Sequence, residues 1–174
     1  MKKKIFRYAL ILLCLIACKR TKIIYYDNEK TLPLYKNELN WKNQLDGLSV
    51  EYFNDGMVRS KIRFKNNMYH GEYLQNYRDG NIHFNIQYIE NRLWNVIEYY
   101  DENGNRLDFG NLKNGYGTIK KYSPDGNLRS IGSYSNGFRD GKWDFYSNAG
   151  YGYSRIYKDG KIDGVGEVDY SPPF

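Results

Sequence analysis

Few side chains in this sequence are of types that do chemistry. Two cysteines, Cys14 and Cys18, and two histidines, His70 and His83, are too few to furnish a zinc site of the usual Cys and His kind or a scaffold of several disulfides. Nucleophilic hydrolysis needs a base hydrogen-bonded to the nucleophile and a third group that orients the base. No Gly-x-Ser-x-Gly elbow occurs, and no serine stands apart from the turn serines. Glycoside hydrolysis needs two carboxylates, but Asp55, Asp79, Asp125 and Asp159 are accounted for by turn chemistry. The Gly-x-Gly pairs at Gly150 and Gly164 lack the third glycine, the helix and the lysine of a phosphate loop. His70 falls at a junction between segments and His83 on a polar strand face, and both read as solvent-exposed. The expectation is a chain with no catalytic residues, no metal and no cofactor.

Cys18 is the exception. The chain opens with Lys2, Lys3, Lys4 and Arg7, continues through ten apolar residues from Tyr8 to Ala17, and reaches Leu15-Ile16-Ala17-Cys18. A basic start, an apolar run and a small residue at the processing point form an export signal. The run is about half of the ~20 residues a spanning helix needs. The four residues ending in Cys18 resemble the lipobox of bacterial lipoproteins, which implies cleavage after residue 17, acylation of Cys18 and anchoring through lipid chains. Cys14 then leaves with the leader and the mature chain has no free thiol. Lys19 rather than Asp follows the cysteine, which by resemblance to the enterobacterial sorting rule favours the outer membrane over the inner.

The net charge of +6 invites a nucleic-acid reading, so its distribution matters. Residues 1–17 carry four bases and no acid, residues 18–30 four bases and two acids, and from Thr31 onward 18 bases face 18 acids. The part that folds is neutral, without the basic face a nucleic-acid partner requires. No nucleic-acid partner is expected.

Stepping along the chain exposes a repeat. Starting points at Gly47, Gly71, Asn95, Gly117, Gly141 and Gly164 are spaced 24, 24, 22, 24 and 23 residues, the signature of a repeat architecture. Nine residues after each of the first five starts stands a glycine that closes a turn signal: Gly56, Gly80, Gly104, Gly126 and Gly150. Preceded by Asn or Asp in most cases, these glycines supply the positive φ of a two-residue hairpin turn. A second set of turns falls midway, at Asn66-Asn67, Asn91, Asn114-Gly115, Asn136-Gly137 and Asp159-Gly160. Between turns the residues alternate: Val58, Ser60, Ile62 and Phe64 with Arg59, Lys61, Arg63 and Lys65, then Ile82, Phe84, Ile86 and Tyr88 with Asn81, His83, Asn85 and Gln87. Period two with one polar face marks an antiparallel strand half in water. In later repeats aromatics fall on both parities, as Trp143 and Phe145 do against Tyr146, which fits either a second layer or a face kept for a partner.

The pattern Gly-x-x-x-x-Tyr-x-x-x-Gly-x-Leu, then an aromatic and an Asn-Gly, is plainest in Gly117, Tyr122, Gly126, Leu128, Tyr134 and Asn136-Gly137. It resembles the MORN repeat variant, found in bacterial proteins often labelled YwqK-type antitoxins. Gly141, Trp143, Tyr146 and Gly150 repeat it, as do Tyr52, Gly56, Val58 and Phe64. The second copy departs at Asn76 and the third at Asn95 and Arg106-Leu107. The resemblance implies an all-β fold: an elongated twisted antiparallel sheet of tandem β-hairpins after an N-terminal signal helix. The expected organisation is a signal peptide over 1–17, a lipidated tether and lead-in strand over 18–40, and a repeat domain over 41–174. Leu34 to Trp41 would cap one end of the sheet, and Gly164 to Tyr170 the other.

The 19 tyrosines suit core and cross-strand pairing, and equally a contact platform, because tyrosine offers a large rigid face with a polar tip. Trp143, Phe145 and Tyr146 are the residues singled out for such a platform. Three functions follow: a membrane-anchored, non-enzymatic binding or scaffolding module for a protein or envelope glycan; an antitoxin-like protein that neutralises a toxin, drawn only from the family label; and an envelope hydrolase, which would need a carboxylate pair in a cleft.

Overall fold

In the computed structural model of the chain, residues 19–147 and 152–162 are described. The leader over 1–17, Cys18, Gly150 and the partial repeat from Gly164 lie outside the described residues. Those described form an all-β protein of twelve strands: β1 (Arg20–Tyr25), β2 (Pro33–Leu39), β3 (Leu45–Tyr52), β4 (Val58–Lys65), β5 (Met68–Asn76), β6 (Ile82–Ile89), β7 (Arg92–Tyr99), β8 (Gly117–Tyr122), β9 (Leu128–Ser135), β10 (Phe138–Tyr146), β11 (Gly152–Lys158) and β12 (Lys161–Ile162). Every pairing is antiparallel, between neighbours in sequence.

Two turn types alternate along the chain. At Gly56 the glycine N–H bonds to Phe53 O at 3.0 Å, while Phe53 N–H bonds to Met57 O at 2.8 Å. The same pair of bonds recurs around Gly80, Gly104 and Gly126, and the four glycines have φ between +80° and +90°. These are three-residue loops, a tight turn followed by a left-handed glycine that forms a bulge. They differ from the two-residue turns expected there: the central residues keep negative φ and the glycine alone is left-handed. Two-residue turns occupy the second set, where both central residues have positive φ, as in Asn66 (+50°) and Asn67 (+65°) or Asn136 (+51°) and Gly137 (+77°).

The strands fall into two sheets, one of seven in the order β1 to β7 and one of five in the order β12-β11-β10-β9-β8. The break lies over residues 100–116, which contain no strand and join their neighbours through single bridges such as Tyr100 to Arg106 and Gly110 to Ile119 and through scattered backbone bonds such as Leu107 N–H to Tyr99 O and Lys120 N–H to Phe109 O. This is the third copy, where Arg106-Leu107 is out of step with the repeat. The segment read as a tether contributes β1, paired along its length with β2. The lead-in strand β2 is therefore interior, and β1 is the edge.

One core joins the sheets. Phe84, Ile86, Tyr88, Leu93, Val96 and Tyr99 from β6 and β7 pack with Ile119, Tyr134, Trp143 and Tyr157 from the second sheet. The Tyr99 hydroxyl donates to Tyr122 O at 2.8 Å and accepts from Tyr122 N–H at 2.9 Å, tying the end of β7 to the end of β8. Of the aromatics on two parities in the later repeats, Trp143 lies in this core, whereas Tyr146 on the opposite face is exposed.

Candidate functional site

The face of the first sheet that carries the core continues beyond it toward β1. Register pairs Tyr35 with Glu51, Glu51 with Ser60, Ser60 with Gln75, Gln75 with Phe84 and Phe84 with Tyr99. One row of side chains thus crosses the sheet from an open polar end to the buried apolar end. A parallel row passes from Asn37 through Ser49, Ile62 and Tyr73 to Ile86. Over β1 to β5 this face forms a groove of about 360 Å³, walled by Ile24, Leu45, Ile62, Phe64, Tyr69 and Tyr73 around Tyr35, Asn37, Ser49, Glu51 and Ser60. The volume lies at the small end of ligand sites.

The polar groups on the floor are held in place. Glu51 Oε1 accepts from the Tyr35 hydroxyl at 3.3 Å and from Arg59 Nη1 at 3.2 Å, while Oε2 accepts from Ser60 Oγ at 3.1 Å. Ser49 Oγ donates to Asn37 Oδ1 at 2.5 Å, leaving the Asn37 amide hydrogens without a partner among the described residues. Ser49 and Ser60 are buried. Burial raises the Tyr35 phenol above its usual pKa, with the Glu51 charge adding to the effect. Burial also raises Tyr69 and pushes Tyr73 up to about 12. All three remain neutral hydroxyls at physiological pH. The walls are aromatic: Phe64 and Tyr69 rings lie 5.1 Å apart and Tyr73 meets Phe84 edge-on at 5.2 Å.

The residues singled out from sequence stand elsewhere. Trp143 is fully buried, its Nε1 donating to Ser133 O at 3.0 Å, so it is a core residue and no platform. Phe145 is half-buried and stacks on Tyr153 at 5.0 Å, while Tyr146 is exposed. Phe145 pairs with Tyr153, and Tyr146 with Gly152 one position on, so the two lie on opposite faces and the three do not form one surface. Neither histidine is freely exposed: His70 Nδ1 and His83 Nε2 are shut from solvent. The His83 ring lies 4.5 Å from Tyr77 and 5.3 Å from Tyr99, and burial lowers its pKa to about 4.

No family model, curated protein or solved structure matches the chain. The groove residues escaped the sequence reading, although a signal was present. Ser60 sits on the apolar parity of β4, and Ser49 and Glu51 share a parity on β3, so polar residues interrupt a face that should be oily.

Among the described residues, no group of three or more His, Cys, Asp or Glu side chains is placed to hold a metal ion. Among the described residues, Glu51 is the one carboxylate lining the groove. The arrangement offers fixed hydrogen-bonding groups between aromatic walls.

Proposed function

We propose that this chain is a lipid-anchored envelope protein of the MORN-variant kind, whose work is to hold a partner in the groove over β1 to β5. The observation that carries the reading is the row from Tyr35 to Tyr99, apolar where it enters the core shared with the second sheet and polar at its outer end. A face that continues a core is expected to stay apolar; buried serines and an ordered glutamate there match a surface that meets hydrogen-bonding groups. Acylation of Cys18 would anchor the chain two residues before β1 begins at Arg20. Lys19, Arg20 and Lys22 would then lie at the headgroups, each attracted by ~1 kcal/mol where the lipid is anionic.

A photoreactive residue replacing Tyr69, introduced in cells with Cys18 intact or as Cys18→Ser, tests both parts. The expected outcome is a groove adduct in the membrane fraction for the intact chain, and loss of membrane partition for Cys18→Ser. Identical fractionation of the two would remove the anchor, and absence of any adduct would remove the groove.

A further inference from the structure

We propose that the groove binds a neutral saccharide chain. The inference rests on the binding role just given and names its ligand class.

The chemistry of the lining decides among ligands. Among the described residues lining the groove none is Lys or Arg, and the neighbouring Arg59 is engaged by the Glu51 carboxylate, so a phosphate or other anion would find no free cation to pair with. An acyl chain would leave Asn37, Glu51 and the Asn37-bonded Ser49 facing hydrocarbon, which is costly for each. An extended peptide pairs through its backbone at an open sheet edge, which here is β1, whereas the polar floor of the groove lies on β2 to β4, each with a strand on both sides.

A pyranose presents what remains: C–H faces that lie on aromatic rings, and ring-edge hydroxyls that both donate and accept. Tyr69 and Phe64 supply rings, the Asn37 amide supplies donors, and Glu51 supplies acceptor lone pairs. Three donors hold Glu51 in one orientation, and Arg59 offsets its charge, so the site is preorganised for neutral hydroxyls.

The test titrates the full-length chain, held in a detergent without a sugar head group, with soluble β-1,4-linked glucose and N-acetylglucosamine oligomers, read by calorimetry. Saturable binding is expected, little altered by moderate salt. Asn37→Ala and Tyr69→Ala should each weaken it about tenfold or more, with Tyr146→Ala on the second sheet unchanged. Circular dichroism separates lost binding from lost folding, and Asn37→Ala at a half-buried site serves if Tyr69→Ala unfolds.

Binding that ignores both groove variants overturns the proposal. So does failure of every oligomer. If the oligomers fail while the Tyr69 photoprobe still captures a protein, the saccharide is wrong and the groove's binding role stands. If both fail, the binding role falls with it.

Discussion

Gly132 lies under the indole of Trp143, where an added methyl carbon would sit 2.2 Å from the ring. Lys121 Nζ and the Arg139 guanidinium lie 5.3 and 4.9 Å from the ring centroid, so the indole has no direction in which to retreat without disturbing packed neighbours. Gly132→Ala is therefore expected to cost about 1–3 kcal/mol through overpacking, measured by chemical denaturation. An unchanged midpoint would contradict the contact. His83 carries the second prediction at this scale. Its folded pKa is about 4 against the ordinary 6.5, with burial the cause, so the unfolded chain binds the extra proton first. Stability from this group is intact above pH 6.5 and is lost as pH falls toward 4. His83→Phe should flatten the pH dependence of the unfolding midpoint across that window, and a slope equal to wild type would contradict it. Strand alternation correctly gave the parity of His83. It could not give its burial, because the covering ring of Tyr77 arrives from the neighbouring turn.

At the scale of elements, the hairpins are stitched to each other through their turns. Asn91 stands at φ +65°, its N–H bonds to Tyr69 O at 3.0 Å, and its side chain accepts from Tyr69 N–H at 2.8 Å. Asn67 repeats this on Leu45. Asn91→Ala should thus cost about 1–2 kcal/mol for the left-handed conformation together with about 1 kcal/mol for the lost bond. Asn91→Gly, which keeps the conformation open, should lose only the second part. Equal thermal shifts for the two would count against this account of the turn. Turn positions were legible from Asn, Asp and Gly spacing, and strand parity from alternation. The turn classes were not, since Asp-Gly suits both a two-residue turn and a three-residue loop with a bulge. The break between the sheets left a trace at Arg106-Leu107, but a one-residue offset does not reveal that regular strand pairing gives way there to single bridges.

Across the whole molecule, a shared core means that the two sheets should unfold together. The Tyr99 hydroxyl serves both the N–H and the C=O of Tyr122, so Tyr99→Phe should lower stability by about 1–3 kcal/mol through unsatisfied backbone groups while keeping one transition. Two separate transitions in the parent chain would show that the sheets do not depend on each other. The groove belongs to this scale because it lies where the face of the first sheet leaves the core shared with the second. That boundary depends on the tertiary arrangement of strands far apart in sequence, and for this reason Trp143, conspicuous in sequence, proves to be core while Tyr35 and Asn37, within the segment read as a tether and lead-in strand, line the site.

Hydroxyl-radical footprinting tests the central claim most directly, comparing the chain in intact cell envelopes with the purified chain. An occupied groove predicts that Tyr35 and Tyr69 lose reactivity in the envelope while Tyr116 and Tyr153, exposed outside the groove, keep it. Equal reactivity of Tyr35 and Tyr69 in both states, with protection confined to the row from Arg59 to Lys65, would contradict the groove and assign the contact to the basic strand face.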